Sequence, residues 1–490
     1  MKLLKTLLRW LLGLLLALAL LLAVNTLGRR SRQIEVAPLP QLAVDEHAAA
    51  EHLAAAIRHQ TISAEGEARR DQFMALHAQL QRDYPRLHAL LRREQVGASS
   101  LLYSWPGSDA AAKPVLWLAH QDVVPVAPGT ESQWQQPPFA GVVRDGYIWG
   151  RGAWDNKSNL ISQMEALELL AASGFKPRRT LYLAFGADEE LGGLQGAAVI
   201  AKLLQSRGVK LESVLDEGLV ITEGIVPGLK PPAALIGIAE KGYLSVELKA
   251  LSTPGHSSMP PTPGSSAIGM MAQALQQLDQ HQLPAGLRGI AREMFETLAP
   301  EMDGFQRVAL SNLWLFGPVV QRQLEAKASS NALLRTTTAL TIVKAGNKDN
   351  VLPGEAEATV NFRLLPGDSI AAVLGHVRQA LPDANRFTLS TVPGSSEPSP
   401  VSPSDAPAYQ QLARGIREVF PGTLVAPGLM TAATDSRHFA ALSEHIYRFS
   451  PVRAGPDDLA RFHGTNERIA SRNLVEMIRF YHRLATLSTQ

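Results

Sequence analysis

Cysteine is absent from all 490 residues. The chain therefore has no disulfide, no thiol nucleophile, no iron–sulfur cluster and no Cys-ligated zinc. Any metal must rest on His, Asp and Glu. A strong excess of either charge is also lacking, with 47 Lys+Arg against 45 Asp+Glu and a net charge of +2. Six of the bases (Lys2, Lys5, Arg9, Arg29, Arg30, Arg32) fall in residues 1–33, where there is no acid. The remainder holds 41 bases against 45 acids, a net −4. That excludes the strongly basic surface of a general nucleic-acid binder, and no nucleic-acid partner is expected.

Hydrophobic residues make up 46% and charged residues 19%, a globular rather than disordered composition. As a soft prior, the length suggests about three domain-sized units. The run WLLGLLLALALLLAVNTLG from Trp10 to Gly28 carries no charge. As a helix it spans roughly 28 Å, close to the hydrocarbon thickness of a bilayer. A cleaved signal peptide usually has an apolar region of only ~7–15 residues, and the one A-x-A, at Ala17 and Ala19, lies in mid-run. The segment 1–33 is therefore read as an uncleaved transmembrane anchor. Three bases on each side leave the positive-inside rule undecided. The body is expected to face away from the cytoplasm, or to be secreted if the segment is cut.

Beyond a polar, Pro-containing link (33–42), helical periodicity runs from about Asp45 to Arg93. Its histidines (His47, His52, His59, His77, His88) follow no metal spacing and read as helix-surface residues. Short apolar runs follow: Pro114–Ala119 ending at His120, Thr180–Phe185 ending at Gly186-Ala187-Asp188-Glu189-Glu190, and Ser213–Leu215 ending at Asp216. Helical patterns lie between them. Leu160, Ile161, Met164, Leu167 and Ala171 share one face, and Ala197, Ile200, Ala201 and Leu204 share another. This alternation predicts an open α/β sheet, in which ligands collect at the carboxyl ends of strands.

Near Lys241 the character changes. YLSVELKA (243–250) alternates like a half-buried antiparallel strand. A loop, a helix (265–278), strands near 336–344 and 355–364, a helix (370–381) and a strand (387–392) follow. That β-α-β-β-α-β order predicts a smaller α+β lid inserted into the α/β domain. The Pro/Ser-rich segment 392–407 would be the return linker. The expected division is anchor 1–33, catalytic part 34–240, lid 241–393 and catalytic part 394–490.

The chemistry gathers at predicted strand ends and loops. His120-x-Asp122 could be a metal ligand with a carboxylate fixing its other ring nitrogen, or a strand-end histidine with a capping acid. Asp155, in WGRGAWDNK, also reads as an N-cap. Asp188-Glu189-Glu190 places three acids together, which repel one another unless a cation neutralises them. Asp216-Glu217 ends a strand, and Phe462-His463-Gly464-Thr465-Asn466-Glu467 precedes a last helix. Two histidines and three carboxylates without thiolate suit a pair of divalent ions, with zinc the first guess and other divalent metals open. Such ions can acidify a water molecule, and a further carboxylate must then accept its proton. Two consecutive glutamates allow one to bind metal while the other serves as base.

The ordered motifs LAHQDVVPV, WGRGAWDNKSN, ADEELGG, LDEG, GHSSMP, NVLPGEAEATVNFR, TDSRHF and FHGTNERI resemble the di-zinc aminoacylase and carboxypeptidase family. The resemblance is to its carboxypeptidase S branch, which includes enzymes acting on N-fatty-acyl amino acids, and it covers nearly the whole chain from Asp45. It implies an open zinc-peptidase-type α/β catalytic domain with a lid that can mediate a homodimer. It also implies two zinc ions per chain, one on His120 and Asp216, the other on Glu190 and His463, with Asp155 bridging. By the same resemblance Glu189 is the general base and Asp122 orients His120. His256 stabilises the oxyanion, often from the partner subunit in dimeric relatives. Asn350 positions substrate, and Arg363 and Arg437 grip a free carboxylate. Met430-Thr431-Ala432-Ala433 departs from the glycines that relatives usually carry there. Segment 283–330 matches no motif.

The implied activity is hydrolysis of an amide next to a free carboxylate, at a peptide's carboxyl terminus or in an N-acyl amino acid. Condensation in the reverse direction is thermodynamically open. A non-catalytic cleft-binding relative and a di-metal phosphoesterase are the competing readings.

Overall fold

The computed structural model describes residues 2–63 and 69–490. Met1 and residues 64–68, the latter part of the helical region expected over 45–93, lie outside them. In chain order the main strands are β1 (Arg92–Val96), β2 (Ser100–Trp105), β3 (Val115–His120), β4 (Leu181–Gly186), β5 (Ser213–Thr222), β6 (Ala233–Glu240), β7 (Gly242–Leu251), β8 (Thr337–Ala345), β9 (Glu355–Leu364), β10 (Phe387–Thr391), β11 (Leu424–Met430) and β12 (Ile446–Ala454).

The large sheet has the order β1-β2-β4-β3-β5-β12-β6-β11. Its centre is parallel (β4 with β3, β3 with β5, β5 with β12), and β1 and β2 join antiparallel. Parallel strands are covered on both faces, so their sequences lose alternation. All six residues of VLWLAH in β3 are buried. Trp117 and Ala119 point to the face covered by helices Lys157–Ala172 and Ser471–Ser488. Leu116 and Leu118 point to the other face, under helix Ala197–Ser206. This is the predicted α/β sheet, and β3 and β4 end where the candidate residues begin.

The second sheet, β8-β9-β7-β10, is antiparallel throughout. Strand β9 alternates buried and less buried positions. Its inner face packs helices Ala267–Gln280 and Ile370–Ala380 around Leu244, Val246, Val360 and Phe362. The motif-free stretch after Leu283 is helical: Gly289–Leu298, Gly304–Ser311 and Leu313–Glu325. Met294, Phe295, Leu298 and Leu310 pack on Ala233, Leu424 and Ala426, so these helices cover the β6/β11 edge of the large sheet rather than the small sheet.

Two expectations need correction. β5 does not end at Asp216 but runs to Thr222. Its pairing with β12 slips between Asp216↔Arg448 and Leu219↔Phe449, leaving Glu217 and Gly218 as a bulge. Gly218 sits at φ 148°, and a Cβ there would lie 2.8 Å from Arg448 Cβ, so a larger residue would break the bulge. The helix-surface reading also fails for His77, which is buried and bonded to Gln121 Oε1 at 2.7 Å. Burial pushes its pKa down to about 4.

The two sheets meet at Glu240-Lys241-Gly242, between β6 and β7. Glu240 is buried there and accepts from Arg448 Nε at 2.8 Å and from Thr434 N at 3.1 Å. Arg448 is itself 1% exposed, so neither charge can find water if its partner is removed. Arg448→Ala should therefore cost about 3–5 kcal/mol in urea unfolding. A loss under ~1 kcal/mol would show that the pair is dispensable.

Candidate metal centre and cleft

His120 ends β3. Its Nδ1 lies 2.9 Å from the carbonyl oxygen of Asp122, which can only accept, so Nδ1 carries the proton. Nε2 is thereby aimed at Asp155 Oδ1, 2.9 Å away. The Asp122 carboxylate stays beside the same nitrogen, with Oδ1 3.4 Å from Nδ1, and accepts from Ser63 Oγ at 2.5 Å, Glu190 N at 3.1 Å and Glu189 N at 3.2 Å. One aspartate thus orients His120 and pins the turn that carries both glutamates. Across the site, His463 Nε2 meets Asp155 Oδ2 at 2.8 Å and Glu190 Oε1 at 3.4 Å. Asp155 gives one oxygen to each histidine.

Asp216, expected among the ligands, is turned away. Its carboxylate accepts from Glu217 N at 2.8 Å and Ser436 N at 2.7 Å. Side chains alternate along a strand, and the β5 bulge sends the next residue inward instead. Glu217 lies 3.3 Å from His120 Nε2 and accepts from Asn156 Nδ2. Donor atoms of His120, Glu189 and Glu217 lie within 4.8 Å of one another, as do those of His120, Asp155 and Glu190. The bulge, which turns Glu217 rather than Asp216 toward His120, has no signature in the motif Leu-Asp-Glu-Gly itself.

Glu467 and Arg151 were also missed as site builders. Glu467 Oε1 accepts from Gly152 N, Trp154 N and Asp155 N at 2.8–3.0 Å. Arg151 Nη1 pairs with Glu467 Oε2 at 2.6 Å, and its Nη2 donates to the carbonyls of His463 and Gly464 at 3.2 and 3.1 Å. This buried pair ties the Asp155 loop to the His463 loop across more than 300 residues of chain. Asp435, within Thr-Asp-Ser-Arg-His-Phe, is another. A Cβ on Gly186 or Gly193 would come within 2.5 or 2.0 Å of its carboxylate, which explains the glycines that flank the paired glutamates.

Crowding governs the electrostatics. Burial raises the pKa of Glu217 to about 8, helped by the charge of Asp155. Burial likewise raises Glu189 well above the carboxylate range, with Glu217, Asp435 and Glu190 adding to it. Its hydrogen bond to Asp155, then the close approach of the Glu190 carboxylate, lifts His463 to about 10. Burial opposes charge on His120, but Glu217, Asp122 and Asp155 outweigh it and hold its pKa high. For Asp155 too, burial works against ionisation, and the two imidazolium neighbours prevail and depress it. Glu190 Oε1 is buried with no hydrogen-bond partner. Imidazole nitrogens and carboxylate oxygens, with an unpartnered oxygen among them, form a donor set that fits zinc or a similar divalent ion.

The cluster lies at the end of a cleft of about 830 Å³. Glu189, Glu190, Glu217 and His463 line it, as do Arg363, Arg437 and Tyr243. The Arg363 guanidinium stacks 4.7 Å over the Tyr243 ring. Arg437 Nη2 donates to Gly192 O at 2.9 Å. The expected return linker contributes Gly394 to Pro400 to the wall, and Met430, Ala432 and Ala433 supply an apolar patch. His256 and Asn350 are not in this cleft. Strand pairing of Gly255–His256 with Val351–Leu352 holds them on an exposed edge, where Ser257 N bonds Asn350 O at 3.1 Å and His256 Nδ1 meets Ser258 Oγ at 2.8 Å. Both residues expected to act on substrate thus lie outside the lining of their own chain's cleft.

Residues 116–487 match the model of peptidase family M20/M25/M40. The chain is 44% identical over 439 residues to the N-fatty-acyl-amino acid synthase/hydrolase PM20D1 of Xenopus tropicalis, covering 89% of this chain and 84% of that protein. It is 40% identical over 484 residues to "Probable carboxypeptidase S-like 2" of Dictyostelium discoideum, covering 96% and 92%. Among solved structures, the M20 family metallo-carboxypeptidase Sso-CP2 from Sulfolobus solfataricus superposes with a TM-score of 0.67 at 18% identity, covering 91% of this chain and 99% of that one, a likeness of fold.

Glu217 and His463 both have folded pKa values above their unfolded ones, so in the metal-free chain they favour the fold at low pH. That stabilisation is complete below the unfolded values and is lost as pH rises through about 8 for Glu217 and about 10 for His463. A cation must displace these protons. Calorimetric zinc titration in buffers of different ionisation enthalpy should therefore release ~1 proton more at pH 7 than at pH 9, the one held by Glu217, on top of those held by the two histidines. Glu217→Gln should remove one of them at pH 7. Heats that do not vary with buffer would contradict this electrostatic picture.

Proposed function

We propose that this chain, which belongs to peptidase family M20/M25/M40, is a di-zinc hydrolase that cleaves the amide bond between an acyl group and an amino acid bearing a free carboxylate. As a family member it is a metal-dependent amide hydrolase of the carboxypeptidase and N-acyl-amino-acid hydrolase kind. The observation that carries the finer reading is Asp155, which offers one oxygen to each of two opposed histidines while the half-buried Glu189 stands beside them.

Two divalent ions held there would acidify a water molecule and polarise the scissile carbonyl. His120 and Glu217 would hold one, Glu190 and His463 the other, and Asp155 would join both. Glu189 takes the proton of the attacking water on its carboxylate and delivers it to the leaving amine nitrogen. Its carboxylate, grouped with His120 and Glu217, is placed for both transfers. Arg363 and Arg437, the arginines lining the cleft, bind the free carboxylate of the substrate. Leu191, Leu194, Met430 and Phe462 line the same cleft and supply apolar surface for an acyl chain or apolar side chain. His256 and Asn350 would serve the cleft of a second copy. The exposed apolar residues Leu340, Ile342 and Val343 of the edge strand β8 suit such a dimer through the small sheet. The apolar helix Lys2–Gly28 would anchor the enzyme in a membrane, with its body outside the cytoplasm.

Glu189→Gln should keep its zinc and lose turnover by ~10²–10⁴-fold, since only the proton carrier is removed. A panel of N-acyl amino acids, dipeptides and phosphoesters on one zinc-loaded preparation assigns the reaction. Cleavage of carboxylate-bearing amides, lost on amidating that carboxylate, is the expected result. Phosphoester turnover alone, or near-wild-type hydrolysis by Glu189→Gln, would overturn the reading.

A further inference from the structure

The helix Leu313–Glu325 is apolar on two faces, and only one has a partner. Leu313, Val320 and Leu324 pack into the cluster on the β6/β11 edge. On the opposite side Trp314, Leu315 and Val319 are 57%, 39% and 53% exposed, with Pro318 beside them. The spacing 314, 315, 318, 319 makes one continuous stripe. Phe305, 66% exposed on the preceding helix Gly304–Ser311, extends it and meets Phe316 edge-on at 5.4 Å. A cluster of large apolar side chains on one surface of a soluble body marks a contact with something apolar.

The N-terminal helix says what that is. Asn312, the residue between the two helices, donates from Nδ2 to Thr26 Oγ1 at 3.1 Å, and its Oδ1 accepts from Asn25 Nδ2 at 3.1 Å. Trp314 Nε1 donates to the same Asn312 oxygen at 3.3 Å. Asn25 and Thr26 are the polar residues of the last turn of Lys2–Gly28, whose apolar residues before them are exposed along its length. The uncharged run Trp10–Gly28 is roughly 28 Å long against a hydrocarbon core of about 30 Å, so the final turn lies at the membrane boundary, next to Arg29 and Arg30. Whatever hydrogen-bonds that turn sits at the same depth. Tryptophan with its N–H satisfied is suited to that boundary. Exposed Arg30, just past the helix, and Arg322, at the far end of the stripe, are placed to meet lipid phosphates.

We propose that Gly304–Glu325 is a second membrane contact, a helical hairpin lying in the interface of the leaflet from which the N-terminal helix emerges, with Trp314 at the headgroup boundary and Phe305, Leu315 and Val319 reaching into the acyl region. The inference rests on the reading of Lys2–Gly28 as a membrane span. The hairpin fixes the orientation of the body on the bilayer, which a single span through a polar link would leave free to rotate.

The absence of cysteine permits a direct test. Phe305→Cys, Leu315→Cys, Val319→Cys, Leu15→Cys and Leu90→Cys are made singly in the full chain, nitroxide-labelled and reconstituted into phosphatidylcholine–phosphatidylglycerol vesicles. Leu90 is 46% exposed on another part of the body and serves as the aqueous reference, and Leu15 reports the span itself. Collision with oxygen relative to a water-soluble nickel chelate should rise several-fold over the residue-90 value at 305, 315 and 319, as at 15. A bilayer ratio at 15 with aqueous ratios at 305, 315 and 319 would overturn the hairpin and leave the span standing. Aqueous ratios at all positions would overturn both. Shielding from both quenchers, with dipolar broadening between labels, would mean that a second copy covers the stripe and would equally overturn the proposal.

Discussion

Carboxylates do not share a buried volume willingly. Asp155, Glu189, Glu190 and Glu217 crowd around two imidazoles at the mouth of the large sheet, and the metal-free chain can hold them only by retaining protons on some and charging both histidines. The proposed divalent pair would replace those protons and leave one glutamate over as a base. The surrounding structure serves to hold the donors at these separations against their repulsion: Asp122 under His120 and the glutamate turn, Glu467 under the Asp155 loop, Arg151 between the Asp155 and His463 loops, and a bulge that aims Glu217.

Much of this was legible in the sequence because the local rules and the fold agree. VLWLAH and LYLAFG are too uniformly apolar for anything but strands covered on both sides, and each delivers its polar residues at its end. The switch to alternation at YLSVELKA marks the second sheet. His120, Asp122, Asp155, Glu189, Glu190 and His463 come together in space. Arg363 and Arg437 line the cleft.

What was not legible depends on pairings far apart in the chain. Which member of Asp216-Glu217 faces the site is decided by a register slip against β12, some 230 residues on. The Arg151–Glu467 pair has no local signature, and His77 looked like a surface residue until Gln121 was found beside it. His256 and Asn350 fit motifs, yet strand pairing keeps them at an exposed edge outside the cleft. Segment 283–330 carried no motif because its role is packing on the sheet edge and, in the present proposal, on lipid.

The central claim, that the buried acids are arranged around a pair of cations joined by Asp155, is tested most directly by metal analysis of the zinc-loaded full chain and its Asp155→Ala, Glu217→Ala and Asp216→Asn variants. The account predicts two zinc ions in the parent, fewer than one in Asp155→Ala, one in Glu217→Ala and two in Asp216→Asn. A parent that binds no zinc, or an Asp155→Ala variant that keeps both ions, would contradict it.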